Sequence, residues 1–127
     1  MNEKLNEQPI FQSEPLDPKY TEVTPTGGKQ SIISGQMTEV PPWALIEVSK
    51  VMKLGAEKYG HHNWHKISVM SEIDHAMEHT LNFMIIVEDA DDTYYEKCLE
   101  ELSHAAARML MALDQFIRKP RYLREQD

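Results

Sequence analysis

The sequence predicts an all-α domain. Three observations carry that expectation. Apolar residues recur at helical spacing over 42–59, 71–87 and 93–117. Helix-starting and helix-stopping residues bound those segments: Pro42 at the first, Gly60 after it, and Pro120 beyond the last. The chain has 127 residues, 41% hydrophobic and 27% charged, which is one ordinary globular domain with enough core to stand without disulfides.

The first 26 residues carry Pro9, Pro15, Pro18 and Pro25 among polar side chains and read as a flexible, extended arm. They lack the basic start and apolar run of a signal peptide. Gly27-Gly28-Lys29 follows. Two glycines before a lysine can offer backbone N–H groups and a charge to an anion, or simply make a turn; the spacing of a P-loop is absent.

The first helix is expected over 42–59, closed at Gly60. Leu54, Val51, Ala44, Val48, Tyr59 and Met52 share its apolar sector, and Glu47 and Lys58 project into the same sector. A charge there requires a partner. His61-His62-Asn63-Trp64-His65 is a polar and aromatic connection, with no zinc-finger spacing. Trp64 suits either base stacking or the core.

The second helix is expected to start at Ser71 as N-cap, with Asp74 three residues on as in a capping box, and to run to Val87. Its core stripe is Ile73, Met77, Leu81, Met84 and Ile85, with Asp74 and Glu78 beside it. The acidic run 88–92 reads as a solvated loop without calcium-loop spacing. The third helix is expected to bury Leu99, Leu102, Ala106, Met109, Leu110, Leu113 and Ile117. Glu101, His104 and Arg108 share another face, and Ala105-Ala106-Ala107 lets a second backbone come close. Residues 119–127 form a charged tail.

The formal net charge is −8, which argues against stable nucleic-acid binding. No apolar run is long enough to cross a bilayer. The single cysteine, Cys98, excludes a disulfide framework, fits a cytoplasmic setting, and reads as a small buried hydrophobe.

Carboxylates and histidines concentrate on the second and third helices, and three readings of them compete. His75-Ala-Met-Glu78-His79 matches the inverted zincin pattern HxxEH, though peptidases that use it are far larger. Glu72-x-x-His75 and Glu101-x-x-His104 are both ExxH, as in a ferritin-like dimetal bundle, with Glu47 as a further ligand and a fourth helix lacking. A helical binding module without turnover is the non-enzymatic alternative.

The strings GGKQS, VPPWALIEVSKVMKLGAEKYGHHNW, DHAMEH and ELSHAAARMLMAL occur in this order from Gly27 to Leu113. Together they resemble the phage-type dATP/dGTP diphosphohydrolase family, which is similar to the MazG and HisE all-α nucleotide pyrophosphohydrolases. The most specific part is GAxKYGxxNW, formed here by Gly55, Ala56, Lys58, Tyr59, Gly60, Asn63 and Trp64. The MazG-like pattern ExxE…ExxD holds Mg²⁺ or Mn²⁺. On it this chain places His75-x-x-Glu78 and Glu101-x-x-His104, with histidine at two of the four acidic positions.

The resemblance implies a MazG-like helical bundle over 27–118, completed by oligomerisation as a homodimer or homotetramer. It implies metal-dependent cleavage of dGTP or dATP to the monophosphate and pyrophosphate. In relatives from phages that replace adenine by 2-aminoadenine, that reaction supplies dGMP. The expected catalytic residues are Glu78, His79, Glu101 and His104. The expected substrate contacts are Gly28, Lys29, Lys58, Asn63, Trp64 and Arg108. Glu47, Asp74, Glu78, Glu101 and His104 are the expected ligands of Mg²⁺ or Mn²⁺.

Overall fold

A computed structural model describes residues 20–89 and 94–119. The chain divides between Pro41 and Pro42 into two compact units, each considered by itself.

In the first unit, β1 (Thr21–Val23) and β2 (Lys29–Ser31) pair antiparallel, with Glu22 opposite Gln30. This hairpin is the one departure from an all-α reading, and it begins inside the segment expected to be a flexible arm. The turn explains it. Pro25 presets the second turn position, and the Gly27 N–H donates to the Thr24 carbonyl at 2.9 Å. Gly27 then takes φ 90°, the left-handed position that closes a three-residue hairpin loop. The Thr24 N–H donates to the Gly28 carbonyl, and the Gly28 N–H donates to Thr24 Oγ1. A short 3₁₀ turn, Met37–Glu39, ends the unit. Residues 1–19 of the expected arm lie outside the described residues.

The second unit holds three helices: α1 (Pro42–Tyr59), α2 (Val69–Glu88) and α3 (Tyr95–Arg118). The bounds of α1 follow the proline and glycine signals. Gly60 stands at φ 101° and its N–H closes the last turn on Ala56. The start of α2 is a correction. Ser68, not Ser71, is its N-cap, and the Ser68 hydroxyl accepts from the Ser71 N–H at 3.0 Å. Ser71 is therefore already inside the first turn, so Asp74 takes no part in capping. The loop residues 90–93 and the tail beyond Lys119 lie outside the described residues.

α2 and α3 pack along their length as an antiparallel pair, and α1 packs on α3. The seam is made by small and polar side chains: Glu72 and Ala76 from α2, and Ser103, Ala105, Ala107, Ala112 and Gln115 from α3. Of the alanine run, Ala105 and Ala107 are buried and allow a close approach, while Ala106, expected in the core stripe, is exposed. The expected apolar stripes face the other way. Met77, Leu81, Met84 and Ile85 on α2, and Leu102, Met109, Leu110, Leu113 and Ile117 on α3, are all exposed. Helical spacing identifies a stripe but not what it faces, and here the seam between α2 and α3 is the opposite face of both helices.

Candidate active site

α1, the 61–66 connection and the α2–α3 pair enclose a cleft of about 1140 Å³, large enough for a nucleotide. The local sequence shapes it. After Gly60 the chain turns at His62, which sits at φ 56°, a left-handed conformation uncommon for a residue with a Cβ. A 3₁₀ turn, Asn63–Lys66, then leads into Ser68.

Gln115 of α3 pins this connection. Its Nε2 lies 3.2, 2.7 and 3.0 Å from the carbonyl oxygens of Trp64, His65 and Ile67. Two N–H bonds thus serve three acceptors. In the same connection the ring of His61 stacks on His62 at 3.6 Å, and that of His62 on His65 at 4.9 Å.

The cleft wall brings together five of the residues expected from sequence: Lys58, Asn63, Trp64, His104 and Arg108. Glu72, His75 and Glu100 join them. Glu72 reaches Arg108, with Nη1 donating to Oε2 at 3.2 Å. The His75 Nδ1–H donates to the Ser71 carbonyl at 2.8 Å, which leaves its Nε2 as the free acceptor.

One turn along α2 from His75, His79 Nδ1 lies 2.7 Å from Glu101 Oε2. The rings of His79 and His104 stand 5.0 Å apart, centroid to centroid. Burial first, and then the neighbouring His79, lower the pKa of His104; Glu100 and Glu101 pull it the other way, and Arg108 adds a smaller push downward.

The remaining expected residues lie elsewhere. Glu47 is bonded to Lys50 of its own helix at 2.9 Å, which supplies the partner its position demanded. Asp74 and Glu78 are exposed, on the outer face of α2 with Leu81 and Ile85. Gly28 and Lys29 belong to the hairpin of the first unit, where the Gly28 N–H is engaged within the turn. Among the described residues, no three His, Cys, Asp or Glu side chains stand together so as to hold a metal ion. Glu101 turns to His79, and Glu47 to Lys50.

Glu72 appears in the sequence only as one half of an ExxH pattern, whereas His75 stands in that pattern, in HxxEH and in His75-x-x-Glu78. The spacing Glu72, Ala76, His79 was a usable signal, since it marks the small and polar face of α2. Nothing in the sequence singles out Gln115.

A family model described as dATP/dGTP diphosphohydrolase, N-terminal, matches residues 24–124. No curated protein and no solved structure matches the chain. Among the described residues no helix is long and apolar enough to cross a membrane.

Proposed function

Because this chain belongs to the dATP/dGTP diphosphohydrolase family, a family of enzymes, we propose that the cleft beside α1 binds a purine deoxynucleoside triphosphate and hydrolyses it between the α and β phosphates. The observation that carries this reading is the composition of one cleft: two fixed cations, Lys58 and Arg108, an aromatic wall at Trp64, and the imidazoles of His75 and His104. Lys58 and Arg108 suit the phosphates, with arginine able to grip two oxygens at once. Trp64 offers a face to the purine and Asn63 a polar edge.

In the reaction, a water oxygen forms a bond to the α phosphorus. The bond from that phosphorus to the bridging oxygen breaks, and pyrophosphate leaves with the electron pair. The water proton needs an acceptor. Supporting His79 for that role, its Nδ1–H is held by the Glu101 carboxylate, so Nε2 is left as the base. His104, which stands beside it in the cleft wall and is biased toward the neutral form, can relay the proton from the water to His79.

Dependence on Mg²⁺ or Mn²⁺ belongs to the same reading. It rests on the charge of the triphosphate, which arrives as its metal complex, and no step is assigned to a protein-bound ion. Assembly as a homodimer or homotetramer belongs to it too, supported by the exposed apolar faces of α2 and α3. The setting is a cytoplasm in which dGMP is wanted, such as that of a host infected by a phage making 2-aminoadenine. Neither a nucleic acid nor a membrane is part of it.

The deciding experiment incubates the protein with a panel of nucleoside triphosphates and Mg²⁺ or Mn²⁺ and resolves all phosphorus products. dGMP or dAMP with pyrophosphate is the expected outcome. Release of inorganic triphosphate, or no turnover of any purine nucleotide, would overturn the reading.

A further inference from the structure

Glu72 is 0% exposed, at the floor of a cleft otherwise rich in cations and imidazoles. Its Oε2 accepts one hydrogen bond, from Arg108 Nη1 at 3.2 Å, and its Oε1, equally cut off from water, has no partner. Resting on the hydrolase reading above, we infer that Glu72 is a positioning residue: it holds the Arg108 guanidinium in the wall of the cleft so that its free N–H groups meet a phosphate of the substrate.

The energetics exclude the simpler view of a stabilising ion pair. Removing a carboxylate from water costs several kcal/mol, and attraction repays it only when geometry is good and every lone pair is satisfied. Here the contact is a single N–H at 3.2 Å and one oxygen is orphaned. An apolar side chain of similar volume would serve stability at least as well. Burial accordingly raises the pKa of Glu72, and the charge and hydrogen bond of Arg108 are what pull it back.

What the pair does supply is order. An arginine has several rotatable bonds and much conformational entropy to lose. Its side chain is 26% exposed, so part of it stands free on the cleft side. Of five donors the structure commits one to Glu72, and the planar fork carries the rest in fixed directions. Held in advance, the guanidinium can take an anion without losing that entropy on binding. The glutamate comes from the first turns of α2 and the arginine from the middle of α3, so the arm stays in place only while the two helices keep their register.

The test measures Kd for inorganic triphosphate, KM and kcat for dGTP, and thermal melting, on the full chain. The variants are Glu72→Gln, Arg108→Gln and the double variant. Loss of the charged acceptor should raise KM and the triphosphate Kd by about tenfold, the scale of one charge-assisted hydrogen bond. The melting temperature should hold or rise, since a buried charge with only one of its oxygens satisfied is gone. In the Arg108→Gln background, Glu72→Gln should add almost nothing, because both changes remove one arm.

Wild-type triphosphate affinity in Glu72→Gln, or full additivity with Arg108→Gln, would overturn the inference. Should Glu72→Gln fail to fold, Arg108→Lys decides. It keeps the charge but loses the fork, and unweakened triphosphate binding would reject a positioned guanidinium. The anion measurement separates the two readings. Triphosphate binding that needs both residues, in a protein that turns over no nucleotide, would sink the hydrolase and leave this arm standing. Normal dGTP turnover with a Glu72→Gln Kd unchanged would do the reverse.

Discussion

His79 of α2 and Glu101 of α3 face each other across the seam, Nδ1 to Oε2, at 2.7 Å, with side chains 25% and 13% exposed. An ionised carboxylate can only accept, so the proton of that bond sits on Nδ1 and the imidazole presents Nε2 as its basic atom. The pair lies in the same antiparallel register as Glu72 and Arg108, two helical turns along. One rigid seam therefore fixes both a cation and a base, and the small residues between them, Ala76 and Ala105, allow the helices to come near enough for both contacts.

Glu101→Gln tests the base. The amide oxygen can still accept from Nδ1–H, so the ring orientation should survive. The charge that would stabilise an imidazolium during proton transfer is lost. The expected result is a fall in kcat for dGTP of about 100-fold, the usual scale of a positioned acid–base group, with an unchanged melting curve. A rate near that of the wild type would remove the His79–Glu101 pair from the proton path.

The pH dependence follows from His104. Its folded pKa lies below the ordinary 6.5 because burial, and then His79, disfavour the imidazolium. A depressed pKa means that the folded chain binds fewer protons than the unfolded chain in that window. Stability from this group is then present above pH 6.5 and lost as pH falls through the folded pKa. Melting temperature should drop on acidification across this range, and His104→Gln should flatten the drop. An identical pH profile in the variant would show that His104 carries no such linkage.

How much of this was legible in the sequence differs by element, for physical reasons. The bounds of α1 were readable because Pro42 and Gly60 act locally. The start of α2 was not, because Ser68 and Ser71 are both good caps and only tertiary context selects between them. The hairpin strands have three residues each, too few for alternation to show, although Pro25 and Gly27 signalled the turn. The faces of α2 and α3 were inverted. Leu81 and Leu113 obey helical spacing as well as any core residue, but 54% and 57% of their surfaces are exposed, while the seam runs through alanines and polar groups. Lys58, Asn63 and Trp64, which a sequence motif singled out, line the cleft. The contacts of Glu72 and Gln115 were not legible, because they are made 36 and about 50 residues away.

Gln115 offers a separate test of the cleft. Gln115→Leu keeps most of the volume and strips three carbonyls, those of Trp64, His65 and Ile67, of their shared donor. The Trp64 carbonyl keeps its bond from the Ile67 N–H, but leaving the part-buried carbonyls of His65 and Ile67 without this donor costs about 1–3 kcal/mol, so the melting temperature should fall by several degrees. The consequence for function is a loosened 61–67 connection. KM for dGTP should rise more than kcat falls, since Trp64 and Asn63 belong to binding. A kcat defect at unchanged KM would mean that the connection serves chemistry rather than the substrate.

The outer faces of α2 and α3 give the last prediction. Met77, Leu81, Met84 and Ile85 on one helix, and Leu102, Met109, Leu110 and Leu113 on the other, are all open to solvent. Soluble monomers rarely leave so continuous an apolar surface uncovered. Each such side chain removed from water contributes about 1.5–3 kcal/mol, and a stable contact needs only about 800 Å² per partner. A second copy presents the same apolar face, so a two-fold pairing matches like with like. Asp74 and Glu78 lie on this face of α2 and would then stand at the contact, where their repulsion makes assembly sensitive to divalent cations. Sedimentation of the wild-type chain should therefore give a dimer or tetramer, tightened by Mn²⁺. Leu113→Glu places a charge in the middle of the stripe and should shift the chain to a monomer without loss of helix content by circular dichroism. A wild-type monomer at micromolar concentration, with and without Mn²⁺, would refute self-assembly through these faces.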